Sequence, residues 1–388
     1  MPVLIWGAAW AVLVTGLLAR VLRQFRSYRQ AAVAAANASD ALPSVSVIVP
    51  VRNEIANIER CLAGLSGQTG LSAGSAIIVV DDGSEDGGPA AARRCAVGDP
   101  RIRLIEAGPL PDGWAGKPHA CWRGAALAEG KWLCFVDADV RAAPGLVAAA
   151  LATAEAQQID MLSLQPRQEF GSFWERVVIP AGLLVLACAK RFEAGSHDVV
   201  NGQFLLIRRE AYFHVGGHAA VRAEICEDKA LALRIREGGF ALRVLAAENL
   251  ASTRMYRGLG SLWEGFSKNA TEILDSIGAT LVAAACACIF GWAALALPAA
   301  CLTAALREPS SAADVGFGLS VVGTGIVVGI HCATARHFRV PALFGLAFAL
   351  GYTAVACLAS SSVIAQLRGR VRWKGRTYRV TKSSPGGA

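Results

Sequence analysis

The sequence predicts an α/β protein: a mostly parallel sheet with helices on both faces, framed by apolar helices before and after it. Three observations carry this. Continuous apolar runs alternate with helical periodicity from Ser44 onward, the pattern of strands buried on both faces. Two of those runs, VVDDGS (Val79–Ser84) and FVDAD (Phe135–Asp139), end abruptly in paired carboxylates. Uncharged stretches long enough to cross a bilayer lie at both ends of the chain.

Residues 3–19 hold no charge and stop at Arg20. They lack a basic n-region and a small-residue cleavage site, so they read as an anchor and not as a cleaved signal. Residues 31–42 read as a linker. After Pro43, SVSVIVP reads as a strand ending at Pro50. Ile55, Ile58, Leu62 and Leu65 then repeat at helical spacing, predicting a helix over 54–65 with Asn53 as N-cap and Glu54 in its first turn. Ala76–Val80 and Arg101–Glu106 are the next strands, and Gly113–Gly130 is a loop entering a helix. Lys131–Val136 is the fourth strand, and Pro144 opens an Ala-rich helix in its first turn. Phe173–Phe192 carries 13 uncharged residues, Val177–Ala189, too short to span. It reads as an interfacial or buried helix flanked by Arg176, Lys190 and Arg191. Glu227–Glu237 is a helix closed by Gly238-Gly239. Three further spans come after it, over 277–306, 315–335 and 341–367. The expected organisation is an anchor with basic flank (1–30), an α/β domain (43–275), an apolar region (277–367) and a basic tail (368–388).

The chain has 388 residues, is 54% hydrophobic and carries a net charge of +8. Arg20, Arg23, Arg26 and Arg29 follow the first span, and Arg368, Arg370, Arg372, Lys374, Arg376, Arg379 and Lys382 follow the last. Apart from these, acids outnumber bases, so the basic excess lies beside membrane spans. Anionic lipid head groups explain it better than nucleic acid does. The arginines after the first span place the α/β domain in the cytosol, at an inner membrane. Three later crossings would put the basic tail outside, so the reading adopted is one incomplete crossing with a cytosolic tail. The eleven cysteines show neither CxxC nor paired spacing with histidine, which suits reduced thiols. His214 and His218 flank Gly216-Gly217, a turn and not a metal pair.

Ligands of open α/β sheets bind beyond the carboxyl ends of the strands, where both acid pairs fall. One such pair alone is ordinary turn chemistry. Two converging on one cleft repel each other unless a cation or hydroxyl donors satisfy them, and Mg²⁺ with a phosphate ligand does so with one or two carboxylates. No GxGxxG follows the first strand and no GxxxxGK[ST] occurs, so dinucleotide and P-loop readings lack their fingerprints. A phosphatase-type DxD would want Thr or Val where Arg141 stands.

Over about residues 44–275 the chain resembles family 2 glycosyltransferases of the GT-A fold. VSVIVPVRNE (Val45–Glu54) resembles the family's first strand and turn, VVDDGS its nucleoside-binding acids, and the run Gly113–Asp139 the approach to its DxD metal motif. Glu227-Asp228 resembles the ED pair that carries the catalytic base. The resemblance implies donor contacts from Pro50, Glu54, Asp81, Asp82, Lys117, Asp137, Gln203, Glu227, Arg254 and Arg257. It implies a divalent cation (Mg²⁺ or Mn²⁺) on Asp139 and Asp137, and Asp228 as base. Asn201–His218, Trp263–Asn269 and the tail RWKGRTY (Arg372–Tyr378) resemble members acting on lipids: hopanoid-associated, carotenoid and ceramide glycosyltransferases. The (Q/R)xxRW motif appears as Arg254-Met255-Tyr256-Arg257-Gly258, without its tryptophan. The resemblance therefore implies a single transfer from a nucleotide-diphosphate sugar, a UDP-sugar foremost, to a lipid. A processive polysaccharide synthase and a non-catalytic membrane protein keeping a nucleotide-sugar fold are the competing readings. Bland alternatives stand beside each residue: Lys117 as a solvated lysine, Glu227-Asp228 as dipole-favoured helix acids, Arg254 and Arg257 as membrane-surface cations, and Trp114, Trp122 and Trp132 as packing.

Overall fold

The structure, a computed structural model, describes residues 1–30, 42–190 and 200–379, with backbone alone at 27–30 and 379. The expected linker except Leu42, the Arg29 side chain, Arg191, Phe192 and Lys382 lie outside the described residues. In chain order the elements are α1 (Pro2–Gln30), β1 (Val45–Val51), α2 (Ile58–Ser66), β2 (Ala76–Asp81), α3 (Gly88–Gly98), β3 (Ile102–Glu106) and α4 (Gly116–Ala126). β4 (Trp132–Val136), β5 (Val140–Ala142), α5 (Leu146–Ala156), β6 (Met161–Gln165), β7 (Arg167–Gln168), α6 (Phe173–Ala189), β8 (Phe204–Arg208) and α7 (Arg209–His214) come next. The remainder is α8 (Glu227–Glu237), β9 (Leu242–Ala246), β10 (Ala251–Thr253), α9 (Leu259–Ile273), α10 (Ile277–Arg307), α11 (Ser311–His337), α12 (Phe348–Leu367), β11 (Arg370–Trp373) and β12 (Arg376–Arg379).

These elements form two compact units that do not follow chain order. One, the sheet unit, comprises Ser27–Glu169, Phe192–Met255 and Lys374–Ala388; the other, the helical unit, comprises Met1–Arg26, Phe170–Arg191 and Tyr256–Trp373.

In the sheet unit seven strands run in the order β3-β2-β1-β4-β8-β6-β9. All neighbouring pairs are parallel except those of β8, which is antiparallel to β4 and β6. Alternate residues bury on opposite faces. Val45, Val47 and Val49 join Trp132, Cys134 and Val136 on one face, against Ile58, Leu62 and Leu151. Ile48, Leu133 and Phe135 face the other way, against Ala120, Tyr212 and Leu231. Each of these larger side chains contributes about 1.5–3 kcal/mol on burial, which is why the predicted apolar runs become central strands. The chain leaves β1 toward β2 on one side while β4 packs on the other, so the crevice between the ends of β1 and β4 is the switch point where such sheets bind ligands.

Two element boundaries differ from expectation. α2 begins at Ile58, not at 54, because Asn53 adopts a left-handed φ of 53° and spends its side-chain oxygen on the Glu85 N–H (2.8 Å). Ile55, which the periodicity counts as a core position, is 46% exposed. Pro144 precedes α5 instead of opening it; Gly145, at φ 87°, caps the helix. His218 is buried with Nδ1 3.0 Å from the Tyr212 hydroxyl, a structural contact in keeping with the turn reading.

In the helical unit α6 starts with a capping box between Ser172 and Glu175. Glu175 is fully buried and accepts N–H bonds from Gly171 (2.7 Å), Ser172 (3.2 Å) and Gly258 (2.8 Å). Among the described residues, four segments are long and apolar enough to cross a membrane: Pro2–Arg26, Ile277–Arg307, Ser311–His337 and Ala342–Leu367. The last runs unlike the others. Its 3₁₀ turn packs Gly345 against Cys332 near the end of α11, and Tyr352 reaches both Gly291 in mid-α10 and His331 Nε2 (2.9 Å). Near its other end the Ser362 hydroxyl lies 2.9 Å from that of Thr271 in α9. α12 therefore begins beside the middle of α10 and finishes beside the helix that precedes α10.

Candidate active site

The predicted acids gather at the carboxyl edge of the sheet unit. Asp81 ends β2 and accepts from the Ser84 N–H (3.1 Å), closing the DDGS turn. Asp82, next in the chain, is 4% exposed; one carboxylate oxygen takes the Arg376 guanidinium and the other is buried without a hydrogen-bond partner. Burial pushes its carboxyl above the usual range, against the pull of Arg376 and Arg52. Glu54, in the turn after β1, accepts from Asn57 Nδ2 (2.7 Å) and from Lys374. Pro50 is a half-buried β1 residue paired with Val80.

Asp137 follows β4 directly, and its carboxylate lies 2.8 Å from Lys117 Nζ. The same ammonium is 2.8 Å from Glu227 Oε1 at the first turn of α8. Lys117 thus ties the end of β4 to the start of α8, two segments that the sequence separates by 90 residues. Burial works against its proton, yet Asp137 and Glu227 hold its pKa well above the lysine range. Asp228 accepts from the Gly202 N–H (2.7 Å) and, through its other oxygen, from the Lys229 N–H (2.8 Å). Burial first, then Glu227, push its carboxyl up to about 6, outweighing the nearby Lys117 and both N–H bonds. A Cβ on Gly202 would sit 3.0 Å from Asp228 Oδ2 and 3.2 Å from Lys117 Nζ, so glycine is what lets this backbone close on the pair.

Asp139 has Oδ1 buried without a hydrogen-bond partner, and its carboxyl is pushed to about 7 by burial, Asp137 and Glu54. An unpaired oxygen within a crowd of carboxylates is what a hard divalent cation relieves. Among the described residues no three His, Cys, Asp or Glu side chains form a ready cage.

Residues 46–227 match the family model for Glycosyl transferase family 2. This region is a family 2 glycosyltransferase domain. The chain is also 26% identical over 347 residues to the 4,4'-diaponeurosporenoate glycosyltransferase of Staphylococcus aureus strain MRSA252, covering 87% of this chain and 89% of that protein. The protein of the same name from strain USA300 aligns with the same identity and coverage. Among solved structures it resembles a mannosyltransferase from Pyrobaculum calidifontis in complex with GDP-Man and Mn²⁺. The two are 20% identical with a TM-score of 0.56, covering 94% of this chain and 99% of that one. That likeness shows the GT-A fold.

Within the glycosyltransferase domain Lys117 brings Asp137 and Glu227 together, and the charges of Asp137, Glu54, Lys374 and Lys117 act on Asp139. Gln203 is buried and tied to Asn201 Nδ2 (2.9 Å), Gln168 Nε2 (3.3 Å) and Thr253 Oγ1 (3.3 Å). Arg254 follows β10 in the sheet unit, one residue past Thr253. Arg257 belongs to the helical unit, where its N–H donates to Ser261 Oγ (2.8 Å). Trp132 is buried under Arg208 and donates to Glu155 (2.8 Å), and Trp122 stacks on Tyr212, so both pack. Sequence reasoning missed Arg52, Lys374 and Arg376 as neighbours of the acids. The tail stands out in sequence by its motif and its charge, but no local spacing links it to residues near 50 and 80.

Proposed function

We propose that the chain is a membrane-bound inverting glycosyltransferase that moves one sugar from a nucleotide-diphosphate sugar, a UDP-sugar foremost, to a lipid acceptor. The observation that carries this is Lys117 bridging Asp137 and Glu227, which brings the end of β4 beside the Glu227-Asp228 pair. The name of the Staphylococcus relative, an enzyme acting on a carotenoid acid, supports an apolar acceptor, as do the apolar helices. The absent tryptophan at Gly258 supports one transfer over polymer synthesis.

Glu54, Asp81 and Asp82 would hold the nucleoside. Mg²⁺ or Mn²⁺, held by Asp139 with help from Asp137, would supply Lewis-acid stabilisation of the diphosphate leaving group. Lys117 and Arg254 add fixed positive charge where negative charge develops, and Arg257 is the further candidate of that kind. Asp228 takes the acceptor hydroxyl proton as that oxygen attacks the sugar carbon from the face opposite the diphosphate, inverting the anomeric centre. Its elevated pKa suits a base that must bind a proton. The site faces the cytosol of an inner membrane, with several helices crossing.

The test is transfer of labelled sugar from a nucleotide sugar to extracted membrane lipid. Asp139→Asn keeps the shape and removes the charge that offsets a cation, so donor affinity and turnover both fall, as they do for the unaltered protein in excess chelator. Unchanged transfer under both conditions rules out the metal assignment.

A further inference from the structure

The turn after β11 returns to the sheet unit at the acids that end β1 and β2. Lys374 pairs with Glu54, and its carbonyl accepts from Arg52 Nε (3.2 Å). Arg376 grips Asp82 twice, through the carboxylate and through the backbone oxygen (3.1 Å). Arg52 also donates to the carbonyls of Asp82 (2.7 Å) and Gly83 (2.8 Å), and so joins the turn after β2 to the Lys374 turn. Lys374 has φ 46° and Gly375 φ 78°. Two successive left-handed residues make a tight type I′ turn, and a lysine held there carries backbone strain of the kind that clusters at ligand sites.

Two further facts point to a ligand. Asp82 is buried almost completely, yet Arg376 satisfies only one of its oxygens and the other has no partner. The ammonium of Lys374 sits on Glu54, and its charge also acts on the Asp139 carboxyl. Several carboxylates at one crevice edge would repel an incoming diphosphate; cations delivered by the tail offset that repulsion.

We propose that the Lys374-Gly375-Arg376 turn is part of the donor site. Arg376 is a positioning residue that fixes Asp82 so that its second oxygen accepts from a hydroxyl or N–H of the nucleoside. Lys374 is a binding residue for the diphosphate. This rests on the crevice being a nucleotide-sugar site.

Calorimetry on the full-length protein in lipid nanodiscs with Mn²⁺ tests it, using UDP, GDP, and the nucleoside of whichever binds tighter. Lys374→Ala weakens diphosphate binding about tenfold or more, the scale of a lost charge-assisted bond, and weakens nucleoside binding by a smaller factor, through its partner Glu54. Lys374→Arg restores it. Arg376→Ala weakens diphosphate and nucleoside by the same factor, and Arg376→Lys, lacking the fork, does not restore them. Arg370→Ala, an exposed cation of the same tail, changes neither. Wild-type affinity in both alanine variants would overturn the proposal, and so would tighter binding, which would make the turn a cover that competes with donor. Lys374→Ala alone decides if Arg376→Ala does not fold. A wild-type protein that binds no nucleotide sinks the donor-site reading itself, a result distinct from equal binding by all variants.

Discussion

Asp228 sits in the first turn of α8, where the helix dipole favours the carboxylate. Burial and Glu227 prevail, and the carboxyl rises to about 6. A base must be ionised, so transfer should fall as pH drops below about 6, approaching tenfold per unit. Stability moves the other way. An acid whose pKa is raised on folding binds more protons in the folded state between its ordinary value and 6. Its contribution is therefore full below the ordinary carboxylate range and is lost as pH rises through 6. Asp228→Asn does not titrate, so its melting temperature should gain on wild type from pH 4 to pH 7; a constant difference would contradict the raised pKa. Residues such as Asp228 and Lys117 were legible because a motif surrounds each. Lys374 and Arg376 were not, because their partners lie about 300 positions away and ion pairing across a fold leaves no periodicity in sequence.

Elements were legible where burial dictates them. β1, β2 and β4 follow from apolar runs, and α8 matches its expected bounds, closed by Gly238. Boundaries failed where a side chain had a competing partner: Asn53 serves the Glu85 N–H across the turn instead of capping α2. Glu175 was legible only as a charge near a helix start, whereas the fold buries it and gives it three N–H donors, one from Gly258. Glu175→Ala would strand those donors and should destabilise the helical unit by about 3 kcal/mol, the upper end for bonds to a charged group. Glu175→Gln keeps one acceptor oxygen and should lose less. Equal melting temperatures for all three proteins would show that the N–H groups find water instead.

At the scale of the molecule, hydropathy identified four spans but could not tell a crossing from a partial one, since both are apolar. The path of the last segment bears on that difference. It turns at Gly345 beside Cys332 near the end of α11, passes the middle of α10 at Tyr352 and reaches α9 at Ser362. That path supports the proposal of an incomplete crossing with a cytosolic tail. A fluorescent protein fused to the C-terminus should glow in intact cells and an alkaline phosphatase fused there should be inactive; the reverse pattern would demand a full third crossing. Proton transfer by Asp228 is the centre of the proposed lipid-directed sugar transfer. Its most direct measurement pairs two readings on one folded variant, Asp228→Asn: the rate of sugar transfer to membrane lipid and the affinity for nucleotide sugar. Affinity should hold near wild type while the rate falls about 10²–10⁴-fold, the usual contribution of a positioned base. A rate within tenfold of wild type would make Asp228 a helix-terminal acid and pass the role of base to Glu227.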